Sequence, residues 1–224
     1  MAPSQDLHDR PYVILNAAMT IDGKIATKTG DSKISSRKDL VRVHRLRASV
    51  DAIMVGINTV LIDDPSLKVK YCKGKSPIRV IVDSKARTPI ESRVLLDKDV
   101  PTIIAVTSKT PRDRVDRLRE AGAKVIVCGD GDKVDLIILL KVLKEMGVKK
   151  VLVEGGGNIN WGMISQGLFD ELQVTIGSFV VGGRDGITLV EGDGMEKMAE
   201  GVRMKLSKVK QKEDEVVLMY KASR

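Results

Sequence analysis

KKVLVEGGGNINWGMISQGL, residues 149–168, decides the fold. A β-branched run ends at Glu154, three glycines follow, and an amphipathic segment then carries Trp161, Met163, Ile164 and Leu168. The pattern reads as strand, glycine turn and helix start. Glycines let the backbone come close to a phosphate, and the free N–H groups and positive dipole end of a helix favour an anion there. A dinucleotide pyrophosphate is the natural ligand. The motif sits late in the chain and is not the GxGxxG of a first βα turn, and a GGG run taken alone also serves as a plain tight turn.

Working outward, eight further runs read as strands: PYVILNAAM (11–19), DAIMVG (51–56), IRVIVDS (78–84), TIIAVTS (102–108), AKVIVCG (123–129), ELQVTIGSFVVGG (171–183), VRMKLSKVK (202–210) and EVVLMYKA (215–222). Many are apolar on both faces, which suits a largely parallel sheet covered by helices on each side. Helical stretches lie between them. Ser36 with Asp39 makes a capping-box-like start before residues 40–50, Thr110-Pro111 opens residues 113–122, and residues 134–147 end at Gly147, a suitable C-cap. The last two strands, joined by the charged link KQKED (210–214), read as an antiparallel hairpin added to the sheet. The fold class is therefore α/β, with a mixed, mainly parallel sheet. Residues 1–10 read as a polar tail, and 11–224 as one domain with no linker or internal repeat.

Composition narrows the function classes. Of 224 residues, 42% are hydrophobic and 30% charged, which is globular, and no apolar run approaches the roughly 20 residues of a membrane helix. The polar N-terminus lacks the apolar core of a signal peptide, so the cytoplasm is the expected compartment. Cys72 and Cys128 form no CxxC and have only His8 and His44 as companions, so two reduced thiols and no metal site are expected. The net charge of +8 fits either a nucleic-acid surface or a field drawing in small anions. Its spread through mixed-sign stretches such as DRVDRLRE (113–120), with few aromatics to stack bases, favours the second.

Two other strand ends carry polar groups. After Gly56 come Asn58, Thr59, Asp63 and Asp64 before Pro65. Ligands of open α/β sheets bind at that end, so Thr59 and Asp63 are candidates for a cofactor's ribose or amide; a capped loop explains the same residues. The stretch 16–40 places Thr20, Asp22-Gly23, Lys24, Asp31 and Ser32 after the first strand, with Asp22-Gly23 as a turn.

Taken in order, NAAMTIDGKIAT (16–27), residues 42–70, PIRVIVDSKAR (77–87), residues 151–172 and FVVGG (179–183) resemble the riboflavin-pathway reductases of archaea and fungi, and the reductase half of the bacterial bifunctional deaminase-reductase. The resemblance implies a dihydrofolate-reductase-like fold, a homodimer and NADPH as hydride donor, with NADH as the alternative. It places Thr59 and Asp63 on the cofactor, Asp83, Ser84 and Lys85 near its adenosine end, and Gly129, Gly155, Gly156 and Gly157 along its phosphates. Lys85 suits a 2′-phosphate. Ser32, Arg47, Leu67, Lys70 and Glu154 would meet the substrate, Arg47 or Lys70 holding its 5′-phosphate. Lys70 stands where the bacterial pattern has arginine, which keeps the charge and loses the bidentate fork.

The reaction so implied reduces the ribosylamino side chain of 2,5-diamino-6-ribosylamino-4(3H)-pyrimidinone 5′-phosphate at the sugar C1′, with Asp31 and Glu154 as candidate acid-base carboxylates. No HxE or PCxxC occurs in the sequence, so a zinc deaminase activity is not expected, and the still aminated pyrimidine is favoured over the deaminated one. Other readings are dihydrofolate reduction and a nucleotide- or nucleic-acid-binding module without turnover.

Overall fold

A computed structural model of the chain describes residues 9–223; residues 1–8 of the expected tail, His8 among them, lie outside the described residues. Nine strands form one sheet, in the order β5-β4-β3-β2-β6-β1-β7-β9-β8. They are β1 (Tyr12–Met19), β2 (Ala52–Gly56), β3 (Ile78–Val82), β4 (Thr102–Val106), β5 (Lys124–Val127), β6 (Lys150–Val153), β7 (Glu171–Ile176), β8 (Met204–Lys212) and β9 (Glu215–Ala222). The first seven run parallel, β1 lying between β6 and β7. β9 pairs antiparallel with both β7 and β8.

The central strands are apolar on both faces because both faces are covered. Val13, Leu15, Ala52, Met54, Val151 and Val153 point into one core layer, while Ile14, Ile53, Val55 and Leu152 point into the other. The first layer packs against α5 (Leu136–Glu145) and α6 (Gly157–Ser165). Leu136, Leu139, Leu140 and Leu143 recur at helical spacing and make the apolar stripe of α5. The second layer receives α1 (Arg37–Arg47), α2 (Ile57–Asp63), α3 (Arg93–Leu96) and α4 (Arg112–Glu120) through Leu46, Val60, Val94 and Leu118.

Several local expectations change. β7 stops at Ile176, and FVVGG is a loop with Phe179, Val180 and Val181 exposed. Gly182 and Gly183 have φ of 62° and 83°, which no ladder accepts, and the Asp22 carboxylate takes the N–H groups of Val181 and Gly182 instead. The hairpin link is two residues, Glu213 and Asp214, not five. INTVLID, which the sequence assigns to no element, is the short helix α2, closed by Asp64 at φ 38° just before Pro65.

The start of α1 also differs. Ser36 Oγ accepts from the Asp39 N–H at 3.2 Å, but Asp39 does not reach back. Glu215 of β9 accepts from both the N–H and the hydroxyl of Ser36, each at 2.6 Å. Asp39 turns inward, fully buried, to Arg42 at 2.6 Å and to the hydroxyls of Ser35 and Thr175. Arg42 in turn donates to Gln173 and Asn16. This polar network fixes α1 on the sheet. Arg10, expected as tail, is instead paired with Asp170 at 2.7 Å, its side chain 9% exposed.

Candidate active site

Parallel strands deliver their carboxyl ends to one edge, so the loops after β1, β2, β3, β5 and β6 converge there. Glu154 follows β6, and its N–H still donates to Met54 O, which holds it beside β2. From the last turn of α1, Arg47 meets it bidentately: Nε to Oε1 at 2.8 Å and Nη2 to Oε2 at 2.6 Å. Nη1 donates to Lys68 O at 3.1 Å. Burial alone would lower the affinity of Arg47 for its proton; the charge and hydrogen bonds of Glu154 outweigh it and raise the pKa. The sequence offered Arg47 to a phosphate, whereas the fold commits all three of its nitrogens to Glu154 and Lys68. Lys70, exposed and paired with no carboxylate among the described residues, is the freer cation.

His44, one turn before Arg47, completes this corner. Its Nδ1 accepts from the Lys70 N–H at 2.8 Å, and its ring meets Tyr71 edge-on at 4.5 Å. The Arg37 guanidinium lies 4.1 Å over the Tyr71 ring. Burial, then the charge of Arg47, with Lys70 and Arg37 adding, push the imidazole pKa down to about 4 against the pull of Glu154. His44, Arg37 and Tyr71 were missed from the sequence, where His44 was weighed only as a metal partner. Helical spacing from Arg37 through His44 to Arg47 was the signal that could have found two of them. Among the described residues no cluster of three metal-ligating side chains occurs.

Asp31 and Ser32 lie against the end of α2. A Cβ on Gly30 would stand 2.8 Å from Ile62 Cγ2, so that loop packs closely on the helix. Asp63 faces both expected substrate-side residues. Burial first, and then the like charge of Asp31, raise its pKa, while the Ser32 hydroxyl works the other way. Leu67 departs from expectation: the residue is 2% exposed and packs in the core, with its backbone at φ 52°.

The glycine turn sorts into three roles. Gly155 sits at φ 83°, and its carbonyl accepts from the Gly56 N–H at 2.9 Å, which sets the turn against the start of α2. Gly156 is open, since the nearest atom to an added Cβ is Thr59 Oγ1 at 4.0 Å. Gly157 is closed: an added Cβ would fall 2.4 Å from Glu191 Cγ and 2.8 Å from Thr188 O. Beneath the turn, Asn160 is 2% exposed, its amide donating to Leu189 O while its Oδ1 has no partner. The sequence treated all three glycines as phosphate ligands. The fold keeps Gly156 open and uses Gly157 to admit the 188–191 segment.

At the far end of the edge, Asp83 is fully buried, one carboxylate oxygen holding the N–H and hydroxyl of Thr88 at 2.7 and 2.8 Å. It shapes a loop through this oxygen, while its other oxygen, Oδ1, is buried and has no hydrogen-bond partner among the described residues. Ser84 Oγ accepts from Val134 N–H, Lys85 is exposed, and Gly129, at φ 89°, closes the β5 end by accepting from the Ser108 N–H.

Residues 11–218 match the RibD C-terminal domain family. The chain belongs to this family. It is 50% identical, over 94% of its length and 98% of the relative, to the 2,5-diamino-6-ribosylamino-4(3H)-pyrimidinone 5′-phosphate reductase of Methanothermobacter thermautotrophicus. Among solved structures, Acinetobacter baumannii RibD superposes with a TM-score of 0.82 at 26% identity, covering 96% of this chain and 58% of that one. The riboflavin biosynthesis reductase Rib7 of Saccharomyces superposes with 0.77 at 26% identity, covering 99% and 94%. A dihydrofolate reductase of Enterococcus faecalis matches at 0.54 and 11% identity over 95% and 97%, which shows the fold to be dihydrofolate-reductase-like.

Proposed function

We propose that this RibD-family chain reduces the ribosylamino side chain of 2,5-diamino-6-ribosylamino-4(3H)-pyrimidinone 5′-phosphate to ribitylamino, in riboflavin biosynthesis, with NADPH. The observation that carries the proposal is the half-identical archaeal reductase of that name, aligned along nearly its whole length. The site chemistry agrees. The space that Gly156 leaves open beside Thr59 supports a dinucleotide at this edge. Gly155, Gly156, Thr59 and Asp63 would hold it, with Ser84, Lys85 and Gly129 toward its adenosine end.

NADPH, when bound, supplies a hydride to the sugar C1′ of the open-chain imine form of the substrate. The protein's own work is to bind and orient. Lys70 takes the 5′-phosphate. Glu154, fixed on both oxygens by Arg47, presents its remaining lone pairs to the substrate's polar groups and cannot swing away, which keeps donor and acceptor aligned. Asp31 assists ring opening or protonation, and Asp63 beside it binds a proton more readily than an ordinary carboxyl.

The reading includes a homodimer, a single reductase domain over 11–224 and a cytoplasmic location. Exposed Phe179, Val180, Leu206 and Val209 support a second copy against the β7–β8 end of the sheet, and no described helix is long and apolar enough to cross a membrane.

The test is loss of NADPH absorbance with the diamino substrate and, separately, with its deaminated analogue, the product identified by a two-hydrogen mass gain. Turnover with the first alone establishes the proposal. Turnover with the second alone reverses the order of reduction and deamination, and no turnover with either removes the substrate assignment.

A further inference from the structure

Residues 64–77 join α2 to β3 without helix or strand, so side chains that reach them from elsewhere set their path. One face of α1 supplies three. Arg47 Nη1 donates to Lys68 O at 3.1 Å, His44 Nδ1 accepts from the Lys70 N–H at 2.8 Å, and the Arg37 guanidinium lies 4.1 Å over the Tyr71 ring. Arg37, His44 and Arg47 recur at helical spacing, and the segment meets them in reverse chain order as it crosses the helix. Farther on, the Val69 N–H donates to Ser76 Oγ at 3.1 Å, and a Cβ on Gly74 would stand 2.6 Å from Ala48 Cβ, so the segment also closes on the end of α1.

The bond to Lys70 differs from the others. It engages only the main chain of that residue, and the exposed ammonium keeps its freedom to reach a ligand. Its acceptor is 5% exposed. A neutral imidazole has one donor and one acceptor nitrogen, so with Nδ1 accepting, the ring proton sits on Nε2. Burial, and then the charge of Arg47, keep the ring from taking a second proton, so Nδ1 remains an acceptor near neutral pH.

We infer that His44 is a positioning residue for phosphate recognition: through the Lys70 N–H it fixes the main chain from which the Lys70 ammonium reaches the substrate's 5′-phosphate, an inference that rests on the role given to Lys70 above. A lysine is a point charge on a flexible stem and brings no geometry of its own. Where the ammonium arrives depends on where the stem begins. Without the His44 acceptor, the main chain at Lys70 has to be ordered when the ligand binds, which weakens binding and leaves the hydride step unchanged.

The experiment compares the unmodified chain with His44→Asn, His44→Leu, Lys70→Gln and the double variant His44→Leu/Lys70→Gln. KM and kcat are measured with the diamino substrate, and ribose 5-phosphate binding is measured by calorimetry with NADP+ saturating. His44→Leu is expected to weaken ribose 5-phosphate binding and raise KM by about tenfold each, with kcat within about twofold; His44→Asn, whose amide oxygen accepts in place of Nδ1, stays within about threefold of the unmodified chain. In the Lys70→Gln background, His44→Leu is expected to add less than about twofold. An equal loss in that background, a fall in kcat alone, or Asn no better than Leu overturns the inference while the role of Lys70 stands. Unchanged ribose 5-phosphate binding in Lys70→Gln, or no binding by the unmodified chain, overturns both. His44 is buried, so thermal unfolding accompanies each variant, and nitrogen NMR of the imidazole in the unmodified chain needs no variant. A proton on Nε2 is expected; a proton on Nδ1 overturns the inference, because that nitrogen then cannot accept.

Discussion

Replacing His44 by asparagine removes the imidazole of the Arg47–Glu154 corner, whose titration differs between the folded and the unfolded chain. The amide oxygen can still accept from the Lys70 N–H, so the change isolates the proton. Folded, the imidazole titrates at about 4; unfolded, at 6.5. As the pH falls through that window the unfolded chain takes up a proton that the folded one refuses, so stability is full above 6.5 and is lost toward 4. The whole gap corresponds to about 3 kcal/mol, reduced to about 1–2 kcal/mol because solvent reaches part of the site. Urea unfolding at pH 7.5 and at pH 4.5 measures it. The parent chain is expected to lose about 1–2 kcal/mol more than His44→Asn across that interval, because groups remote from this corner contribute equally to both proteins. Equal losses in the two proteins would refute the argument that a buried, cation-flanked imidazole excludes its proton.

Glu154→Gln removes the carboxylate that Arg47 grips at 2.6 and 2.8 Å, and freed Arg47 can turn to the substrate phosphate. Steady-state assay is expected to show kcat falling about a hundredfold or more with KM unchanged or lower; a rise in KM alone would make Glu154 a binding group only. Gly156→Ala is expected to melt like the parent but bind NADPH more weakly, whereas Gly157→Ala, with its Cβ 2.4 Å from Glu191 Cγ and 2.8 Å from a backbone oxygen, loses about 1–3 kcal/mol. Equal melting of the two variants would contradict the division of roles in the turn. Arg42→Met leaves the buried Asp39 carboxylate without its cation and is expected to cost about 3–5 kcal/mol in denaturant unfolding. A cost under about 1 kcal/mol would show that Ser35 and Thr175 suffice for Asp39.

The sequence determined the sheet: all nine strands were legible as β-branched runs between turn formers, and their double-sided apolarity announced a parallel sheet between two helical layers. The hairpin and the glycine turn were equally plain, because each depends on residues adjacent in the chain. Periodicity did not reveal α2, which is too short for a moment and rich in polar groups, nor the end of β7, after which the Phe179 N–H turns back to Gly177 O. Within the site, residue types were legible and partners were not. Arg47 read as a phosphate ligand and is held by Glu154, 107 positions away. Asp83 and Leu67 were legible as residue types, while their burial, one clamping Thr88 and the other in the core, was not. Only tertiary structure decides such pairings, because a charged or polar side chain is satisfied by whichever group the fold brings within about 3 Å, and chain separation leaves no periodic mark of that meeting.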